Sequence, residues 1–144
     1  MINIGLITSK QAKRQPNAWA VYDQTSNKRI TFSELDDLVK KIANGLLGLG
    51  LKKGDRVSIL SQNTIEFLAL FFACGRVGLV AHALNWRLGS DELAQIIENG
   101  QTIDVPIMYA NGEKWAQVQK RGYMRDRKGK IMTPVISIRR GSIT

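Results

Sequence analysis

Few side chains in this 144-residue sequence could do chemistry, and each can be weighed by its neighbours. His82, the one histidine, lies in the apolar run from Leu79 to Leu84. There an imidazole is expected to satisfy a core or edge hydrogen bond, and the sequence names no nucleophile to pair with it. Cys74, the one cysteine, sits in the stretch FLALFFACG and reads as a buried, inert thiol. Asp36 and Asp37 are adjacent, and neighbours on a helix point to different sides, so they do not form an acid–base pair. Gly112-Glu113-Lys114 and Gly129-Lys130 place lysine beside glycine. They lack the Ser/Thr-Gly context with which a phosphate loop aims its backbone N–H groups, and both read as surface turns.

Charge narrows the partners. The formal net charge is +9, divided unevenly: residues 1–100 carry +3 and residues 101–144 carry +6. Such an excess attracts phosphate-rich partners, although a solvated basic surface is the simpler expectation. A single cysteine excludes an internal disulfide and fits a reducing compartment. Glu66 and Arg76 bracket the most apolar stretch, leaving far fewer than the roughly 20 residues that a membrane span needs. The N-terminal MINIGLITSKQAKR has no basic lead followed by an apolar core, so a secretory signal is not expected and the cytoplasm is.

The elements that would position these groups follow from periodicity and end signals. Residues 1–17 read as a short helix or arm ending at Pro16. WAVY, from Trp19 to Tyr22, reads as a strand, then a polar turn from Gln24 to Arg29 and a second strand at Ile30. Thr31 and Glu34 have the spacing of a capping box, and Asp36 and Asp37 suit the positive end of the helix they open. Leu35, Leu38, Val39, Ile42, Ala43, Leu46 and Leu47 fall on one expected buried face, and Gly48 and Gly50 end the helix. RVSIL (Arg56 to Leu60) reads as a strand and Thr64 to Val77 as a helix with Leu68, Ala69, Phe72 and Ala73 inward. LVAHAL reads as a strand beside RVSIL across a right-handed crossover. Ser90 or Asp91 is expected to cap a helix carrying Leu93, Ile96 and Ile97. This succession predicts an α/β fold with a parallel sheet. Beyond Gly100 the expectations are a strand over 105–109, a helix over 113–120, a charged turn over 125–130 and a strand over 131–138 interrupted by Pro134. A small basic α+β appendage and a disordered tail both fit.

The order of these signals resembles the N-terminal part of the AMP-forming, adenylate-forming enzymes, and within them the acyl-CoA synthetases. The residues carrying the resemblance are Thr31-Phe32-Ser33-Glu34-Leu35, Leu49-Gly50, Gly54-Asp55-Arg56-Val57, Asn63, Phe67 to Phe72, Gly78, Leu84-Asn85-Trp86-Arg87-Leu88 and Glu92-Leu93. Ala83 stands where the family often has proline. Coverage runs from about residue 4 to 99, and the Asn-Trp-Arg-Leu form particularly resembles ligases of fatty or other carboxylic acids with CoA.

The resemblance implies a partial parallel-sheet α/β sandwich over residues 1–100, followed by a basic appendage of different character over 101–144. It also implies that the family reaction, ATP-dependent activation of an acid to acyl-AMP and then acyl-CoA, is incomplete in this chain. The phosphate loop, the acidic residue near magnesium, the ribose-binding aspartate and the C-terminal catalytic lysine have no counterpart here. No catalytic residue and no metal ligand is therefore assigned. ATP, Mg2+ and CoA belong to the full-length family, not to this stretch. Arg87 is the one ligand-contact candidate, because an N-terminal arginine touches the CoA nucleotide in some of these ligases and a guanidinium suits phosphate.

Residues 105–140 faintly resemble structural, tail-completion proteins of tailed phages. Their interleaved Tyr109, Trp115, Arg121, Tyr123 and Arg125 could stack and pair with single strands, but no nucleic-acid module surrounds them, and nucleic acid is not expected as a partner. The expected partners are a second copy or the missing remainder of a ligase, since half a sandwich leaves sheet edges and apolar faces uncovered. A non-catalytic interaction module and a phage-type structural protein with a basic tail are the alternative readings.

Overall fold

The structure, a computed structural model, describes residues 3–85 and 87–99 and the backbone of 135–139. The chain forms two compact units, Met1–Lys53 with Asn63–Leu79, and Gly54–Gln62 with Val80–Thr144.

The first unit begins with a single 3-10 turn, Ile4–Leu6, running into helix α1, Ile7–Arg14. Strands β1, Trp19–Asp23, and β2, Lys28–Thr31, then form an antiparallel hairpin. Its turn is shorter than the sequence suggests. The Asp23 carboxylate accepts the Thr25 N–H at 2.9 Å and the Ser26 hydroxyl at 2.7 Å, and Asn27 takes the left-handed conformation at φ 52°. Together they turn the chain back before Lys28.

Helix α2, Phe32–Gly48, starts with the expected capping box: the Thr31 hydroxyl accepts from Glu34 N–H at 3.2 Å, and the Glu34 carboxylate accepts from Thr31 N–H at 2.7 Å. Leu35, Val39, Ala43 and Leu46 are buried, but Leu47 is 48% exposed, against the seven-residue face read from the sequence. A polar residue, Asp36, is buried on that side instead. It lies three turns before Leu47 on the same side of α2, and it is buried because Thr8 and Ser9 of α1 cover it. Leu47, about 16 Å further along the axis, stays open. Gly50, at φ 81°, supplies the left-handed residue that ends the helix.

Helix α3, Ile65–Val77, runs from the Thr64 cap to Gly78 at φ 77°. Its buried residues are Ile65, Ala69, Leu70, Ala73 and Cys74. Leu68 and Phe72, expected inward, are only half-buried. A helix apolar on nearly every side carries no periodic mark of which face turns in.

In the second unit β3, Arg56–Leu60, lies between β4, Val80–Leu84, and β5, Val135–Arg139. The expected parallel pair is present, in register from Arg56↔Val80 to Leu60↔Leu84. β5 pairs antiparallel with the other side of β3, from Arg56↔Arg139 to Leu60↔Val135, so the sheet is mixed. β5 begins after Pro134, which has no N–H to give a ladder. Val57, Ser58, Ile59 and Leu60 are all buried, as in a strand covered on both faces. Helix α4, Ser90–Asn99, starts one residue earlier than a Ser90 cap allows and two earlier than an Asp91 cap. The reach-back contact is made by Glu92, whose carboxylate accepts the Gly89 N–H at 2.9 Å, and Leu93 is buried.

The remaining expectations for 105–109, 113–120 and 125–130, with Trp86, lie outside the described residues. Among the described residues no helix is long and apolar enough to cross a membrane.

Candidate functional site

Arg87 stands just past the carboxyl end of β4. Because β3 and β4 are parallel with Leu60 opposite Leu84, the carboxyl ends of both strands open at the same edge of the sheet. In open α/β sheets that edge is where ligands bind. The turn after β4 is built by Asn85, whose side-chain oxygen accepts the Arg87 N–H at 3.0 Å and whose carbonyl accepts the Leu88 N–H at 3.2 Å. This Asx turn sends the chain sharply towards α4 and leaves Arg87 exposed. Asn85 thus acts by shaping the turn, and Arg87 is presented to solvent where an anionic group could reach it.

His82 has a partner that the sequence does not reveal. The register sets Ser58 directly across from it, and Ser58 Oγ lies 2.9 Å from His82 Nδ1. Serine beside imidazole is the start of a nucleophile–base pair, but Ser58 is fully buried and no substrate reaches its oxygen. The contact is a hydrogen bond between strands. A signal was present in the sequence, since serine and histidine are the middle residues of RVSIL and VAHAL, but it becomes legible only once the pairing register is known.

The most concentrated polar cluster of the described residues centres on Asp36 in the first unit. Its carboxylate accepts from Arg76 Nη2 at 2.7 Å, Ser9 Oγ at 2.8 Å and Thr8 Oγ1 at 2.9 Å, and pairs with Lys40 Nζ at 2.8 Å. Arg76 also donates through Nε to the Gly5 carbonyl at 3.0 Å. Burial works to raise the Asp36 pKa, but the hydrogen bonds from Lys40, Arg76, Ser9 and Thr8 outweigh it and hold the carboxyl well below its ordinary 3.8. Asp36 is thus a permanent anion whose acceptor sites are filled, which suits a lock better than an acid or base. It ties α1 and the preceding turn to α2 and α3. Cys74 is likewise closed: burial pushes its thiol up to about 12, away from thiolate chemistry. Among the described residues no group of three or more His, Cys, Asp or Glu side chains could hold a metal.

The AMP-binding enzyme family matches residues 8–122, and the chain belongs to that family. The relatives are acyl-CoA ligases. Long-chain-fatty-acid–CoA ligase FadD13 of Mycobacterium tuberculosis is 33% identical over 99 residues, 69% of this chain and 20% of that protein. Feruloyl-CoA synthase of an Amycolatopsis species is 40% identical over 84 residues, 58% of this chain and 17% of that protein. The crystal structure of the N-terminal domain of FACL13 from Mycobacterium tuberculosis superposes with a TM-score of 0.65 at 34% identity, covering 67% of this chain and 25% of that one. The chain therefore spans about a fifth of the length of the curated relatives it matches. The likeness is to the N-terminal part of such ligases, and it favours the ligase reading over the phage one.

Proposed function

We propose that this chain supplies the N-terminal α/β framework of a cytoplasmic acid–CoA ligase, which activates a carboxylic acid with ATP and Mg2+ and transfers it to CoA. In this reading the 144 residues form no acyl-adenylate by themselves, because the groups that cradle and polarise the triphosphate have no counterpart in the sequence. Arg87 contributes a phosphate contact to CoA. The observation supporting that role is its exposed place on an Asx turn at the shared carboxyl end of two parallel strands. The rest of such an enzyme is the natural partner of the sheet, since β4 and β5 each have a strand neighbour on one side only among the described residues. A second copy of the chain would use the same edges.

The test is a chimaera in which residues 8–99 replace the corresponding segment of the FadD13 ligase. Acyl-CoA formation should be retained. Arg87→Ala in that chimaera should raise KM for CoA about tenfold, the cost of one hydrogen bond to a charged group, and leave acid-dependent ATP–pyrophosphate exchange unchanged. An unchanged KM for CoA removes the Arg87 assignment. Acid-dependent pyrophosphate release by the 144-residue chain alone refutes the framework role.

A further inference from the structure

We propose that the outer face of the β1–β2 hairpin is a docking site for a free mononucleotide, with the base stacked on Trp19 and the phosphate held by Arg29. Trp19 is 63% exposed and Tyr22 50% exposed, an unusual display for the two side chains with most to gain from burial. Three residues apart on a regular strand, they would point to opposite faces. The register shift between Trp19 and Val21 inserts one extra residue and brings both to one side. With Ala20, Val21 and Arg29 they line a shallow depression of about 300 Å³, at the small end of volumes that hold ligands.

The depression is organised before any ligand arrives. The Tyr22 hydroxyl donates to Asn27 Oδ1 at 2.9 Å, fixing the ring against the turn, and the Arg29 guanidinium is held 4.8 Å from the ring centroid. The ring positions that cation without supplying an oxygen acceptor, and among the described residues Arg29 forms no ion pair. An indole face and an un-neutralised guanidinium in one depression match a planar base and an attached phosphate. The site takes one nucleotide and not a strand, because its lining holds a single cation and its volume one unit, whereas strand binding needs a basic track. Its residues lie in a different unit from Arg87, so the inference does not rest on the ligase reading.

The experiment titrates the intact chain with AMP, following tryptophan fluorescence and the indole N–H signals by NMR. A saturable change is expected on Trp19. Trp19→Leu and Arg29→Ala should each weaken AMP about tenfold, while Arg29→Lys retains part of the affinity. Adenosine should bind the native chain more weakly than AMP, yet bind the Arg29→Ala variant as well as AMP does. Variants with native circular dichroism and undiminished AMP affinity overturn the assignment. So does the absence of any saturable change up to millimolar AMP, and so does a ten-residue oligo-dA that binds far more tightly than AMP in a salt-dependent way.

Discussion

Replacing Asp36 by alanine removes the acceptor at the centre of the lock, and the structure sets the size of the effect. Four donors lose their oxygen: Arg76 at 2.7 Å, Lys40 and Ser9 at 2.8 Å, and Thr8 at 2.9 Å. Lys40 matters least, because its side chain is half exposed and such pairs contribute between nothing and about 1 kcal/mol. Arg76 matters most. Its side chain is 14% exposed and that of Asp36 4%, and removing one partner of a buried pair costs about 3–5 kcal/mol. Arg76 keeps the Gly5 carbonyl and the Thr8 and Ser9 hydroxyls, so the lower end, about 3 kcal/mol, is expected.

Urea unfolding followed by circular dichroism measures this loss, and hydrogen exchange should show the amides of residues 5–14 losing protection first. Arg76→Met should be nearly as costly. The double variant should cost less than the sum by about 2 kcal/mol, since neither charge is then left buried alone. The sign with pH follows from the depressed carboxyl. Its contribution is fully present above the ordinary 3.8 and is lost as pH falls from there towards the folded value, so the native chain should weaken below about pH 4. Asp36→Asn should flatten that acid limb. A cost below about 1 kcal/mol for Asp36→Ala, or strict additivity with Arg76→Met, would show that the cluster is not a lock.

Two further outcomes follow from close packing. Gly5→Ala should lift the N-terminal turn off α3, because a Cβ there would run into the Arg76 backbone nitrogen and lie 2.6 Å from the Gly75 carbonyl carbon, atoms that cannot step aside. About 2 kcal/mol should be lost, and trypsin should cut at Lys10, Lys13 or Arg14 sooner than in the native chain; unchanged cleavage kinetics would contradict the close approach. Cys74 should resist a thiol-reactive disulfide reagent at pH 8 until urea unfolds the protein, since the thiol is both buried and raised to about 12. Stoichiometric labelling of the native chain within minutes would mean that the interior of this unit opens.

What the sequence discloses is what local spacing encodes. The capping box of α2 needs residues three apart, and the strand RVSIL is bounded by glycine and asparagine turns, so both are found where expected. The Asx turn that presents Arg87 is equally local, from Asn85 to Leu88, yet in the sequence these residues read only as a family motif and the turn is seen in the structure. The lock is not local. Thr8 lies 28 residues from Asp36 and Arg76 lies 40 away, and an aspartate near the start of a helix already has a reading in the helix dipole. Nothing in the sequence marked it as the acceptor for a buried arginine. The Ser58–His82 contact, 24 residues apart, has the same character: each residue is visible, and their meeting depends on register. The inward face of α3 was hidden for another reason, since a nearly uniform apolar helix offers many equivalent faces.

The groups that could do chemistry therefore divide by exposure, and the division has a consequence. Asp36, Ser58 and Cys74 are buried, and each is either hydrogen-bonded or held neutral, so altering them changes how firmly the chain folds. Arg87, Trp19 and Arg29 stand on turns or strand surfaces whose shape is set by other residues: Asn85 for the first, Asn27 and the β-bulge for the others. Removing an exposed contact side chain from a shape held by others leaves the shape in place. In the docking role proposed for Trp19, ligand affinity and stability should thus separate by residue: changes at Trp19 move the first alone, and changes at Asp36 move the second. An arrangement in which the buried groups carried the chemistry would couple the two, because every loss of a reactive group would also remove a hydrogen bond from the core.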